Sequence, residues 1–175
     1  MHVKINYRNK SLNFKNSNFI LFVDEKFNLS GVKKYFSSSE YSFVSDLIKT
    51  KDLEKKIITF DINSKKKIIL ISLKKKLTNS SAEKLGANFF NFFNDLKGNM
   101  YVLNSNHIPI KLKNFVSHFL HGLKLKSYLF EKYKSKKNKK KITIDVVGKN
   151  IPSAKEQIKF KAIEEGTFFT RDLVS

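Results

Sequence analysis

Apolar residues recur along this chain with two different periods, and the alternation between them lays out the elements. Val3 to Tyr7 alternates apolar and polar positions, and Phe19 to Asp24 is a short apolar run closed by an acidic turn, so both predict strands. Ser39 precedes a stretch in which Tyr41, Val44, Leu47 and Ile48 share one helical face. Ile57 to Ile62 and Ile68 to Leu73 are β-branched runs separated by Asn63, Ser64 and three lysines, the pattern of adjacent strands in an antiparallel hairpin.

The helical period is clearest in the second half. Ser80 and Glu83 are spaced as a capping box, in which each side chain satisfies a free amide at the helix start. Ala82, Leu85, Phe89, Phe92 and Leu96 follow at helical spacing, with Phe89 and Phe92 expected against the sheet and Gly98 as the stop. Met100 to Leu103 predicts a short strand, Leu112 to Phe130 a helix with Phe115, Phe119 and Leu123 on one face, and Ile142 to Val147 a strand ended by Gly148. Ser153 and Glu156, after Pro152, make a second capping box, and the helix it opens carries Ala154, Ile158, Ala162, Phe169 and Leu173. Strands interleaved with helices predict an α/β domain with a mixed sheet.

Composition narrows the class. The 175 residues suit one domain, the absence of cysteine removes disulfides and thiolate chemistry, and 17 phenylalanines among 41% hydrophobic residues are too many for a disordered basic tail. No run approaches the ~18 apolar residues of a membrane span, and Met1 to Asn9 lacks the apolar core of a signal peptide, so the cytoplasm is the expected compartment. The net charge is +20, and every basic residue except Arg8 and Arg171 is lysine. Abundant Lys, Asn, Ile and Phe fit an A/T-rich genome and a solvated surface; the other reading is a polyanion-binding surface. Seven lysines stand between Lys132 and Lys141 (Lys132, Lys134, Lys136, Lys137, Lys139, Lys140 and Lys141), with Tyr128, Phe130 and Tyr133 beside them. Such a segment either tracks a phosphate backbone, with a ring stacking on a base, or is a solvated connection.

Candidate chemistry is sparse. His118 and His121 lie three apart on a predicted helix, within reach of one metal, but no acid close in sequence supplies a third ligand, so a structural role is expected. Glu164 and Glu165 are neighbours on a helix and point in different directions. Asp24 and Glu25 sit at a strand end with nothing nearby to complete a catalytic set. The six glycines are isolated, which excludes a glycine-rich phosphate loop, and no serine stands in a nucleophile elbow.

Two stretches carry a family likeness. Gly122-Leu-Lys-Leu-Lys-Ser-Tyr128-Leu-Phe130-Glu-Lys-Tyr133-Lys134 resembles a glycine followed by an aromatic-x-Phe-x-x-Tyr-Lys segment. Ala162-Ile-Glu-Glu-Gly166-Thr-Phe-Phe-Thr-Arg171-Asp172-Leu173 resembles an Ala-x-x-x-Gly-x-x-x-x-Arg-Asp-Leu run. Both are features of the N-terminal domain of the leucyl (cytosol) aminopeptidase family, and the order of elements fits over nearly the whole chain; the first forty residues carry no motif.

That resemblance implies a macro-domain-like α/β fold, a mixed sheet with helices on both faces, over residues 1–151. Residues 152–175 would then be a connecting helix toward a catalytic domain. It further implies a cytoplasmic metallo-exopeptidase that removes N-terminal residues from peptides, with two divalent metals (Zn, Mn or Mg) and a homo-hexameric assembly. The metal ligands of the family belong to its C-terminal catalytic domain and match nothing in this sequence, so no catalytic or metal residue is carried over. A non-catalytic domain with a role in assembly and substrate access is the expected reading, with the helix left without a closing signal because the chain is cut at a domain boundary. Some bacterial relatives bind DNA, which bears on the lysine-rich segment. The competing readings are a stand-alone nucleic-acid-binding module and an ADP-ribose-binding macro domain, the latter weakened by the lack of clustered glycines.

Overall fold

The computed structural model describes residues 2–8, 18–93, 98–128 and 141–174. Among them the chain forms strands β1 (His2–Arg8) and β2 (Asn18–Asp24), a 3-10 turn (Ser30–Tyr35) and helix α1 (Ser38–Thr50). Strands β3 (Ile57–Asn63) and β4 (Lys66–Leu73), helix α2 (Asn79–Phe92), strand β5 (Met100–Asn104), helix α3 (Phe115–Lys126), strand β6 (Lys141–Val147) and helix α4 (Ala154–Val174) follow.

The six strands form one sheet in the order β1-β6-β5-β2-β4-β3. Every pairing is parallel except that of β3 with β4, which is the antiparallel hairpin expected from the two β-branched runs. Parallel neighbours need a crossover, and α2 and α3 are the crossovers that carry the chain from β4 to β5 and from β5 to β6. Both faces of the sheet are covered, so β2 and β4 read as continuous apolar runs rather than alternating ones. Ile20, Phe22, Ile69 and Ile71 point to α2 and α3. Phe19, Leu21, Ile68 and Leu70 point to the 3-10 turn and α1. Phe22 meets the edges of Phe115 and Phe119 at 5.1 and 5.4 Å between centroids, contacts worth about 0.5–1.5 kcal/mol each beyond burial. The architecture is the mixed α/β fold with helices on both faces that the sequence predicts.

Helices α2 and α3 cross with their backbones nearly touching. A Cβ built on Gly86 would stand 1.9 Å from the carbonyl oxygen of Phe119, and one on Gly122 would stand 2.0 Å from that of Glu83. The two glycines are isolated in sequence and reciprocal in space.

Several boundaries differ from the sequence-based expectation. Helix α1 already includes Ser39, because it starts at Ser38 and is capped by Ser37, which exchanges hydrogen bonds with Glu40. The cap of α2 is Thr78, whose hydroxyl accepts from the Ser81 amide; this puts Ser81 rather than Glu83 at the third helical position, and the Glu83 carboxylate reaches across to His118 instead. Gly98 does not close α2, which ends at Phe92; with φ of 111° it instead forms the left-handed entry to β5. Phe92 is only half-buried, and Phe93 takes the fully buried place beside Phe89. Helix α3 is shorter than predicted, starting after Asn114 in a left-handed conformation and ending at Lys126. The second capping box is present as expected, with the Ser153 amide donating to Glu156 and the Glu156 amide to the Ser153 hydroxyl.

Candidate functional site

Helix α3 is covered twice, by the sheet on one side and by α4 on the other. Its polar back therefore becomes an interior. Ser117 and His121 are buried there, and each finds a partner from another element, as buried polar groups must. The Ser117 hydroxyl donates to Glu156 Oε1 at 2.9 Å. His121 Nδ1 lies 3.0 Å from Glu164 Oε1, with side chains only 7% and 12% exposed. One turn earlier, His118 Nδ1 lies 2.7 Å from Glu83 Oε1 of α2. The ring of Phe160 is wedged between the two imidazoles, 5.1 Å from His118 edge-on and 4.7 Å from His121.

The far end of α4 is fastened to the end of α3 by residues from the two family-like stretches. Tyr128 packs on Phe168 at 5.3 Å and donates its hydroxyl to Asp172 Oδ1 at 2.6 Å. Arg171 stands over the Tyr128 ring at 5.4 Å and donates from a guanidinium nitrogen to the Leu125 carbonyl at 3.0 Å. Tyr128, Arg171 and Asp172, separated in sequence by more than forty positions, are one clamp.

A cavity of about 610 Å³ opens between β1, α3 and α4. Ile5, Leu120, Phe160 and Phe168 supply much of its wall, and Tyr7, His121, Lys124, Glu156 and Glu164 face it. Burial pushes the Tyr7 phenol up to about 12, helped by the negative charges of Glu164 and Glu156. Burial also lowers the Lys124 ammonium, against the pull of Glu164, and Lys124 Nζ donates to the Val3 carbonyl at 2.9 Å. Burial would raise the Glu156 carboxyl, but hydrogen bonds from Ser153 and Ser117 outweigh it and hold the group below its usual range.

The opposite face of α4 has no cover among the described residues. Ile158, Phe169 and Leu173 share one stripe and are 71%, 65% and 69% exposed. These are the apolar positions the sequence marked; Phe160, Glu164 and Phe168 take the inward face instead.

The sequence-derived candidates separate accordingly. Of the lysine-rich segment only Lys141 is described, exposed at the first position of β6 and paired in register with His2; Lys132, Lys134, Lys136, Lys137, Lys139 and Lys140 lie outside the described residues. His118 and His121 do share a face, but each imidazole is taken by its own carboxylate. Among the described residues no three of His, Cys, Asp and Glu converge as metal ligands, so these residues do not fit a dimetal centre. Asp24 accepts from the amides of Lys26 and Asn28, which makes it a turn residue. Glu164 and Glu165 diverge as expected, the first into the seam and the second outward toward Lys161. Sequence reasoning missed Tyr7, Glu83, Glu156 and Lys124 as seam residues, because their partners come from other elements and no local spacing signals them. No helix among the described residues is long and apolar enough to cross a membrane.

No family model matches the chain, and no curated protein matches it in sequence. Solved structures do match in fold. A mutant of tomato leucine aminopeptidase superposes with a TM-score of 0.63 at 14% identity, over 98% of this chain and 38% of that one. The bottromycin maturation enzyme BotP superposes with a TM-score of 0.59 at 12% identity, over 91% and 32%. The same enzyme in complex with Mn gives 0.56 at 11% identity, over 91% and 31%. At these identities the likeness is one of fold, and it agrees with the family resemblance read from the sequence. The chain spans well under half the length of the enzymes it matches.

Proposed function

We propose that this chain is the non-catalytic N-terminal domain of a leucyl-aminopeptidase-like metallo-exopeptidase, serving assembly and the surroundings of substrate access. On this reading residues 1–151 are the domain and α4 is the connecting helix, packed against its own domain through Phe160 and Phe168. The two divalent metals and the peptide chemistry belong to a C-terminal catalytic domain, and the hexameric assembly and cytoplasmic location follow the family. The observation that carries the proposal is the bare outer stripe of α4. Three large apolar side chains on one face of a single helix, on a fold that accounts for about a third of each matched enzyme, suit burial against a further body of protein.

The test is an assay of the purified chain on leucine p-nitroanilide, with Mn²⁺ or Zn²⁺ added. No hydrolysis is expected. Metal-dependent turnover that survives removal of host aminopeptidases would overturn the proposal. A companion measurement replaces Ile158, Phe169 and Leu173 by Ser. Stability of the isolated chain should change by no more than about 0.5 kcal/mol per site, since no buried contact is lost.

A further inference from the structure

The chain carries only 15 acidic residues against 35 basic ones, yet Glu156 and Glu164 both line the cavity between β1, α3 and α4, with Glu165 at its outer edge. Of the basic side chains in the lining, His121 holds Glu164 Oε1 at 3.0 Å, and neither lysine described there is paired with Glu156 or Glu164. Lys161 reaches outward to Glu165 at 3.8 Å, where both side chains are exposed, and Lys124 is turned to the Val3 carbonyl with its charged form disfavoured by burial. Glu156 is held by the Ser117 and Ser153 hydroxyls and Glu164 by His121 through Oε1, and both carboxylates line the cavity together with Tyr7, whose phenol is raised by burial first and by their negative charge second. The cavity is thus negative at one spot and aromatic around it, inside a molecule whose surface is strongly positive. At about 610 Å³ it lies within the usual range for small-molecule sites, roughly 300–1,000 Å³.

We propose that this cavity binds a small organic cation, an ammonium group on an aromatic or branched apolar body. The ammonium sits between Glu164, Glu156 and the Tyr7 hydroxyl, and the apolar body lies against Leu120, Phe160 and Phe168. A charge-assisted hydrogen bond in a desolvated pocket distinguishes this ligand from a neutral one of equal shape, and an anion meets two carboxylates. The inference rests on the charge and shape of the seam and stands apart from the aminopeptidase reading.

Three probes of one skeleton test it: 2-phenylethylammonium, 2-phenylethanol and 3-phenylpropionate, titrated into the full chain at neutral pH and low salt. Binding is followed by calorimetry and by amide shifts in NMR spectra. The ammonium should bind saturably, with shifts centred on Leu120, His121, Glu164 and Phe168. It should bind at least about tenfold more tightly than the alcohol, and the carboxylate should not bind. Glu164→Gln should remove the preference for the ammonium, whereas Asp46→Asn, on exposed α1, should leave it intact. Equal binding of the alcohol, preference for the carboxylate, or no ammonium binding at millimolar concentration would each overturn the proposal. The comparison of probes in the unmodified chain decides the matter even if Glu164→Gln does not fold.

Discussion

Replacing Gly122 by Ala adds one methyl group where α3 crosses α2. The new Cβ would lie 2.0 Å from the Glu83 carbonyl oxygen, 2.6 Å from its carbonyl carbon and 2.7 Å from its Cα, all backbone atoms that no rotamer change can move. Separations this short are not tolerated, so the helices must move apart by about 1 Å or more at the crossing. Gaps of that size forfeit a quarter to a half of each dispersion contact they open. Ala82, Leu85 and Phe89 on α2 and Phe119 and Leu123 on α3 are the buried residues around the crossing. Overpacking of this kind costs about 1–3 kcal/mol, and a rigid backbone partner argues for the upper end, ~3 kcal/mol. The helix itself gains about 1 kcal/mol from losing a glycine. The net expectation is a loss of about 2 kcal/mol, or a fall in melting temperature of about 4–8 °C for a chain of this size. Gly86→Ala, whose Cβ would stand 1.9 Å from the Phe119 carbonyl oxygen, should behave alike. Gly166→Ala on α4 is the internal control, because nothing lies within 4 Å of its Cβ and only the propensity gain of ~0.5–1 kcal/mol remains. Urea unfolding followed by circular dichroism reads all three. A neutral or stabilised Gly122→Ala would show that α2 and α3 do not approach as described.

Other substitutions test other layers. Phe89→Ala should cost about 3–5 kcal/mol, since the ring is fully buried against Phe93 and Phe119, while half-buried Phe92→Ala should cost less than half as much in the same denaturant melts. Burial alone would raise the Glu40 carboxyl, but the hydrogen bonds from Lys66 and Ser37 prevail and leave it below its ordinary 4.5. A depressed folded-state value contributes stability above the unfolded value and loses it as pH falls through the folded one, so the advantage of the native chain over Glu40→Gln should shrink as pH drops below about 4.5. A pH-independent difference in urea midpoint would count against that ion pair. The nucleic-acid reading predicts duplex DNA binding that weakens by roughly 0.9 log units per log unit of salt for each phosphate neutralised. Changing Lys136, Lys137, Lys139 and Lys140 to Glu should flatten that slope more than the same change at the exposed Lys51, Lys55, Lys65 and Lys74. Lys66 and Lys67 are unsuitable for such a control, because they are paired with Glu40 and Asp61. Equal effects would reduce DNA binding to net charge.

What the amino-acid sequence determined by itself is what depends on neighbours along the chain. Runs such as Phe19–Asp24 and Ile68–Leu73 had to be strands, the two-run hairpin of β3 and β4 followed from their proximity, and Ser153 with Glu156 capped α4 because that interaction closes within four residues. Capping of α2 shows the limit of such local reasoning: Ser80 and Glu83 have the right spacing, but the helix starts earlier, at Thr78, and the Glu83 carboxylate meets an imidazole 35 residues away. The tertiary structure alone decided that β1 pairs with β6, that Gly86 and Gly122 face each other, and that Tyr128 meets Asp172. Periodicity on α4 revealed an apolar stripe but not its direction. The helix carries two apolar faces, and with Phe160 and Phe168 inward His121 meets Glu164 and Tyr128 donates to Asp172, partners that periodicity along α4 does not contain. Each of these outcomes compares contacts between distant segments, an energy that no window along the chain contains.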